Sequence, residues 1–393
     1  MVGPLSDIRV VELGQLIAGP FCAQLFGDLG ANVIKIEPPK TGDPMRQWGA
    51  GDPPVWWEVI ARNKRSVAAD LRTPEGQEIA RRLIATADVL IENFRPGTLE
   101  KWNLAPADLC AANPRLIVVR VSGYGQTGPY STRAGFGGIG EAMGGWRALV
   151  GTADRPPSRL GVSIGDSLAG TYGCLGALAA LHEREKSGRG QVVDVSLFES
   201  VLQVMEGLVP EYAAAGHVRV RSGSILKGIA PSNVYPCSDG ELLIAGNQDA
   251  IFRRLATAMG QPELGEDPRF ATHVARGQNQ ALLDEMIANW TRGQTVAAVE
   301  KLMEEYAVPA GRMFAARDML ADPHFAAREA IVSVETKHHG TLPMQGVFPR
   351  LSRTPGGVRA AAPVTVGADT DALLGEVGYD AAALADLKQR GIV

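Results

Sequence analysis

The chain has 393 residues, a formal net charge of −4, 45% hydrophobic and 21% charged residues. That length exceeds one simple core and predicts two or three domains of ordinary globular composition. A mildly acidic balance without long charge runs argues against nucleic-acid binding through a basic face, and leaves room for a local basic patch that meets a phosphorylated small molecule.

Residues 8–13, Ile-Arg-Val-Val-Glu-Leu, predict a buried strand. Residues 14–20 turn the chain, 21–29 have helical spacing, Gly30 fits the helix end and 32–36 form a second strand. This β-α-β unit is of α/β type. It lacks the G-x-G-x-x-G fingerprint, so a dinucleotide-binding fold is a poor match. Thr73 and Pro74 start a helix with Pro in its first turn. Further strands are predicted at 87–93, 116–121 and 191–196, the last followed by a helix to about residue 215. Several strands end in loops rich in Gly, Asn and Ser, where open α/β sheets bind ligands.

Residues 217–232 are rich in Gly, Arg and Ser and predict a linker or loop. A hairpin follows at 233–245 with Asp239-Gly240 as its turn, then helices at 250–259, 278–290 and 295–306. The expected layout is a large Rossmann-like α/β domain over 1–216, the linker, a small α+β domain over 233–325, and a segment 326–393 that completes the large domain. That segment ends on an Ala-rich helix around 380–389.

Cys22, Cys110, Cys174 and Cys237 are widely spaced, with no C-x-x-C and no Cys/His cluster of zinc spacing. They read as small hydrophobes in a reducing cytoplasm. His182 lies on a predicted helix, and the adjacent His338 and His339 cannot face one site together in a strand, so no metal is expected. No basic-then-apolar leader and no run of about 20 apolar residues is present, so neither a signal peptide nor a membrane span is expected.

Asp166 follows an apolar, Gly-rich approach and opens a small-residue helix running to about Glu185. Free N–H groups and the positive end of the helix dipole favour its ionised form there. Two uses are open, an N-cap and a nucleophile.

Several segments occur in an order and spacing that resemble one family. They are Ala18-Gly-Pro-Phe-Cys22, Leu29-Gly-Ala-Asn-Val-Ile-Lys-Ile-Glu-Pro38, Asn63-Lys-Arg-Ser66, Asp70-Leu-Arg-Thr-Pro-Glu-Gly76, Glu92-Asn-Phe-Arg-Pro-Gly97, Gly123-Tyr-Gly-Gln-Thr-Gly-Pro129, Gly165-Asp166 and Gly188-Arg-Gly-Gln-Val-Val-Asp194. Together they resemble the family III CoA-transferases, the formyl-CoA transferase and carnitine CoA-transferase group. The Gly135–Gly145 stretch, Pro210-Glu-Tyr212 and residues 228–237 look closest to members that use succinyl-CoA and small dicarboxylates such as malate, citramalate, itaconate or mesaconate.

The resemblance implies that Asp166 is the nucleophile of an aspartyl anhydride and aspartyl-CoA thioester route. It implies that CoA enters as a thioester cosubstrate without a metal, and that two chains interlock as a homodimer. Asn93, Phe94 and Arg95 match a CoA-contacting loop, with Arg95 on phosphate and Phe94 on an apolar part of CoA. Ala69 and Leu71 match positions near adenine or pantetheine. Ile17 and Ala18 match a turn whose N–H groups face the reacting centre. Lys64 and Arg65 are either phosphate neighbours or a solvated basic turn. Relatives carry Gln at the position of Ile17, so Gln15 or the backbone must substitute, and Pro38 stands where several relatives have Arg. Glu141 and Gly228 match positions near the acceptor pocket and in a mobile covering loop. A racemase of the same fold needs a His after Arg133-Ala-Gly135, where this chain has Phe136. That reading, and a non-catalytic CoA-binding protein, are the alternatives. Arg46, Arg133 and Arg147 are candidates for a dicarboxylate's far end.

Overall fold

In the computed structural model, which describes residues 3–393, six parallel strands form the centre of the larger of two units. They are β1 (Arg9–Glu12), β2 (Asn32–Glu37), β3 (Lys64–Ala68), β4 (Val89–Glu92), β5 (Ile117–Ser122) and β6 (Val192–Ser196), in the order β3-β2-β1-β4-β5-β6. Successive residues serve opposite faces, as the period of a strand requires. Val11, Ile34, Leu90 and Val118 enter one core and Val10, Val33, Val89 and Val119 the other. Helix α1 (Ala18–Asp28) covers the second face through Cys22, Ala23 and Phe26, and helix α2 (Pro74–Ala85) covers the first through Ile79, Leu83 and Ile84. The C-terminal Leu373, Leu374, Leu387 and Ile392 also pack on that first face.

The strand order changes direction between β1 and β4, the crevice where such sheets bind ligands. It is the order of dinucleotide-binding folds, although the glycine fingerprint is missing. Leu16, in the turn after β1, takes φ 62° instead of a glycine.

Two long helices meet at almost backbone distance beside this crevice. They are α1 and the helix Ile164–Ser187, here α4; helix α3 (Gly137–Met143) lies between them in sequence. A Cβ on Gly170 would stand 2.8 Å from Ala18 O and 3.1 Å from Cys22 N, so only glycine permits this approach. Gly173 meets Cys22 further along, so the helices run in the same direction and Asp166 falls one turn earlier, alongside the turn that precedes Ala18.

Beneath that turn is a buried ionic cluster. Lys35 Nζ donates to Glu12 Oε1 and Gly14 O at 2.7 Å each, and pairs with Asp43 Oδ2 at 2.7 Å. Lys64 Nζ donates to Glu12 Oε2 and Pro20 O at 2.7 Å each. Burial opposes the Lys35 charge, but Asp43 and Glu12 outweigh it and raise its pKa. Burial lowers that of Lys64. Burial likewise opposes the Asp43 charge, yet Lys35 and the N–H groups of Met45 and Leu16 hold it below the ordinary range. The expectation of a solvated turn fails for Lys64. Lys64 is inside, and Arg65 pairs with Glu376 and Asp369, because β3 is a strand whose polar side chains are all engaged.

The helix expected to run to residue 215 is two, Leu197–Leu202 and Leu208–Ala215, broken near Glu206 at φ 52°. A two-stranded hairpin, β10 (Ile331–Thr336) with β11 (Gly340–Gln345), also belongs to the larger unit. His338 and His339 lie in its turn and not in a strand. Burial raises the pKa of Glu58, and both histidines act on that carboxylate to lower it, so they do share one neighbourhood.

The second unit comprises Ala148–Ser158 and Val218–Pro323. Its antiparallel sheet is β7 (Ser232–Cys237), β8 (Gly240–Ala245) and β9 (Ala310–Arg312). Helices Asp249–Ala258, Gln280–Arg292 and Val296–Glu305 close its core over Tyr235, Leu242, Ile244, Phe252 and Leu283.

Replacing Glu12 with Gln leaves two buried ammonium groups without their shared carboxylate. A stability loss of about 3–5 kcal/mol is expected, read as a lower urea midpoint. An unchanged midpoint would show that the cluster is not holding the turn.

Candidate active site

Asp166 is the third residue of α4, whose N-cap is Ser163. It is therefore not the cap itself. No hydrogen bond to its carboxylate contributes to its ionisation. Burial, then the charge of Glu141, raise its pKa from 3.8 to about 6, with Arg159 opposing. The expected preference for the ionised form is thus reversed in sign. Desolvation and a like charge outweigh the helix end.

The carboxylate is seated by glycines from two helices. A Cβ on Gly137 would stand 2.8 Å from Asp166 Cγ and overlap Oδ2, and one on Gly165 would stand 3.1 Å from Gly137 O and 3.3 Å from Glu141 Cγ. Glu141, on α3, is only 1% exposed and accepts from Arg147 Nε at 2.7 Å. Arg159 is exposed and donates to Ser163 Oγ at 3.2 Å. Burial against a glycine wall, beside one paired carboxylate, suits a carboxylate that is both ionisable and unencumbered.

The turn after β1 is fixed by its neighbours. Asn93 Oδ1 accepts from Gln15 N and Asn93 Nδ2 donates to Gln15 O, both at 2.8 Å. Leu16 N donates to Asp43 Oδ1 at 3.0 Å. Asn93 is thus engaged in holding the crevice. Gln15 and Ile17 are half-buried in that turn, and Ala18 is buried at the start of α1. Phe94 packs edge-on to Trp102 with ring centroids 5.0 Å apart, and Arg95 is exposed.

Other predicted positions fall elsewhere. Ala69 and Leu71 lie in the apolar core, so their side chains are closed to a ligand and only their backbone is available. Phe136 precedes α3 and is 68% exposed. Gly228 belongs to the second unit, where its N–H donates to Gln280 Oε1 at 3.1 Å. Arg46 is spent on Glu37 and stacked 3.8 Å over Trp57, and Arg133 lies 3.6 Å over Tyr130. Of the three candidate arginines, Arg147 alone joins the Asp166 neighbourhood. Arg159 and Gly137 were not singled out from sequence. Nothing in their local pattern separates them from ordinary loop residues until α3 and α4 are brought together. Among the described residues no group of three or more His, Cys, Asp or Glu has metal-site geometry.

Gly137→Ala pushes a methyl into the Asp166 carboxylate and should cost about 1–3 kcal/mol. In an Asp166→Ala background the collision partner is gone, so thermal unfolding should show a clearly smaller penalty. Equal penalties in both backgrounds would refute the glycine seat.

The CoA-transferase family III model matches residues 5–370. The chain is 58% identical over 359 residues to the succinyl-CoA–D-citramalate CoA-transferase of Chloroflexus aurantiacus, covering 90% of this chain and 89% of that protein. It is 40% identical over 399 residues to the beta subunit of succinyl-CoA–L-malate CoA-transferase of the same organism, covering 99% and 98%. A solved CAIB/BAIF family protein from Brucella suis superposes with a TM-score of 0.85 at 36% identity, covering 96% of this chain and 100% of that one. With its parallel sheet, its smaller antiparallel sheets and this similarity over nearly its whole length, the chain belongs to the family III CoA-transferases.

Proposed function

We propose that the protein moves CoA from succinyl-CoA to a small dicarboxylate, with Asp166 as nucleophile. The single observation that carries this is a half-buried carboxylate, seated on glycine and free of hydrogen bonds, at the crevice of a family III CoA-transferase. The activities of the relatives support the substrate class and make D-citramalate the first acceptor to test, followed by malate and mesaconate.

Asp166 attacks the thioester carbonyl of the donor. The carbon–sulfur bond breaks, giving a mixed aspartyl–succinyl anhydride and CoA thiolate. The thiolate attacks the aspartyl carbonyl, and succinate leaves as an aspartyl-CoA thioester forms. The acceptor carboxylate then attacks that thioester, CoA thiolate departs, and its attack on the acceptor carbonyl of the new anhydride releases acyl-CoA and restores Asp166. No group is oxidised or reduced. The anhydride keeps the acyl group activated throughout, and water must be kept out because anhydrides and thioesters hydrolyse.

The backbone N–H groups of Ile17 and Ala18 would meet the oxyanion, and the bonds that Asn93 and Asp43 make to the neighbouring Gln15 and Leu16 support that reading. The exposed Arg95 suits a CoA phosphate. A homodimer is supported by the exposed Phe136, Ile139, Met143, Val209 and Tyr212, all apolar or aromatic. Four free cysteines suit a reducing cytoplasm. The racemase reading is weaker. The charges bearing on Asp166 are Glu141 and Arg159, and no histidine is among them.

Asp166→Ala should abolish transfer while leaving acyl-CoA binding in place. Hydroxylamine added during turnover should label Asp166, and a label on another residue would overturn the assignment. A second expectation concerns pH. The nucleophile acts ionised and its pKa is about 6, so kcat/KM should fall as pH drops through about 6. Glu141→Gln removes a raising charge, so the acid limb should move to lower pH; a limb that stays or moves upward contradicts the electrostatic picture.

A further inference from the structure

Both partners in the proposed exchange carry a second carboxylate, and a charge brought into a partly dry site needs a partner. Arg46 is spent on Glu37, and Arg133 is an exposed guanidinium stacked on Tyr130. Arg147 is different. Its Nε donates to Glu141 Oε2 at 2.7 Å, and Glu141 is itself buried, so the guanidinium is aimed by a carboxylate fixed in the protein interior. That bond and ion pair engage Nε, and no described side chain pairs with the Nη atoms. Nη2 lies 3.7 Å from where a Cβ on Gly138 would stand, while the carboxylate of Asp166 rests on the adjacent Gly137. Consecutive Cα atoms are only ~3.8 Å apart, so adjacent positions of α3 meet the reacting carboxylate and an open guanidinium edge.

We infer that Arg147 binds the far carboxylate of the donor and then of the acceptor, and so makes the enzyme selective for dicarboxylates. This rests on the transfer reaction proposed for Asp166. The two acyl groups stand against Asp166 in turn, so one cation serves both half-reactions. Glu141 holds the Nε side and leaves the two Nη atoms, which suit a planar carboxylate. Arg159 is the cation whose charge bears on Asp166, but it is exposed and that charge is screened by water.

The test is the first half-reaction, followed as release of free acid from donor by excess full-length protein without acceptor. The donors are succinyl-CoA and butyryl-CoA, equal in chain length and differing in the far carboxylate. The parent protein should prefer succinyl-CoA strongly. Arg147→Ala should slow succinyl-CoA by ~10- to 100-fold, the loss expected of a charge-assisted hydrogen bond. Butyryl-CoA, which has no far carboxylate, should lose much less, so the ratio between the two donors collapses. Arg147→Lys should restore part of it, and Arg147→Gln, which keeps length and a donor for Glu141, should not. A variant that slows both donors equally would show a merely structural role and overturn the assignment. So would loss of the preference in Arg159→Ala but not in Arg147→Ala. If the parent releases acid from neither donor, the transfer reaction itself is wrong and this assignment falls with it. Release from both donors at similar rates would instead leave the reaction standing and refute the selectivity alone.

Discussion

The close approach of three helices at glycine positions is the constraint on which the site depends. Gly170 lets α4 lie against the start of α1, and Gly137 with Gly165 lets α3 lie against α4. A side chain at any of these positions would separate the helices by more than a hydrogen bond's tolerance. The consequence is chemical as well as steric. Glycine walls offer the Asp166 carboxylate little polar compensation, so its desolvation is not repaid by hydrogen bonds and its pKa rises. A conventional N-cap would have satisfied the helix end and left the carboxylate weakly nucleophilic.

The turn after β1 is held in a different way. Asn93 clamps it from β4, and Lys35, Lys64 and Asp43 hold Gly14, Pro20 and Leu16 from below. Buried ion pairs of this sort add little net stability relative to an apolar replacement, because desolvation offsets most of the attraction. What they supply is direction. Each bond ends on a backbone atom of the turn, and an apolar core could fill the volume but not fix those carbonyls and N–H groups. Leu16 at φ 62° shows the strain the cluster sustains, since a branched residue seldom adopts that region.

Much of this was legible in the amino-acid sequence, for reasons that also explain what was not. β1, β2, β4 and β5 are buried on both faces and read as continuous apolar runs. β3 was missed because Lys-Arg-Ser opens it, and those side chains find partners distant in sequence, at Glu12, Glu376 and Glu37. Helix α1 begins at Ala18, earlier than its apolar spacing suggests, because Gly19 and Pro20 fill its first turn. The motif around Asp166 located the residue, whereas its charge state depends on Glu141 from another helix, a contact no local pattern encodes. Ala69 and Leu71 show the reverse limit, since a motif can mark a segment near a ligand while its side chains point into the core.

A raised carboxylate pKa has one more consequence under the proposed chemistry. In the first anhydride, thiolate can expel either carboxylate, and the less basic one leaves more readily. With the pKa of Asp166 raised, succinate would be the better leaving group, which would direct attack to the aspartyl carbonyl and favour the aspartyl-CoA thioester. The same difference slows its discharge to the acceptor carboxylate. The intermediate then waits in its thioester form, which water attacks more slowly than the anhydride. Burial of Asp166 therefore does two things at once. In the proposed reaction it would sharpen the nucleophile and lengthen the life of the covalent state that stores CoA between donor and acceptor.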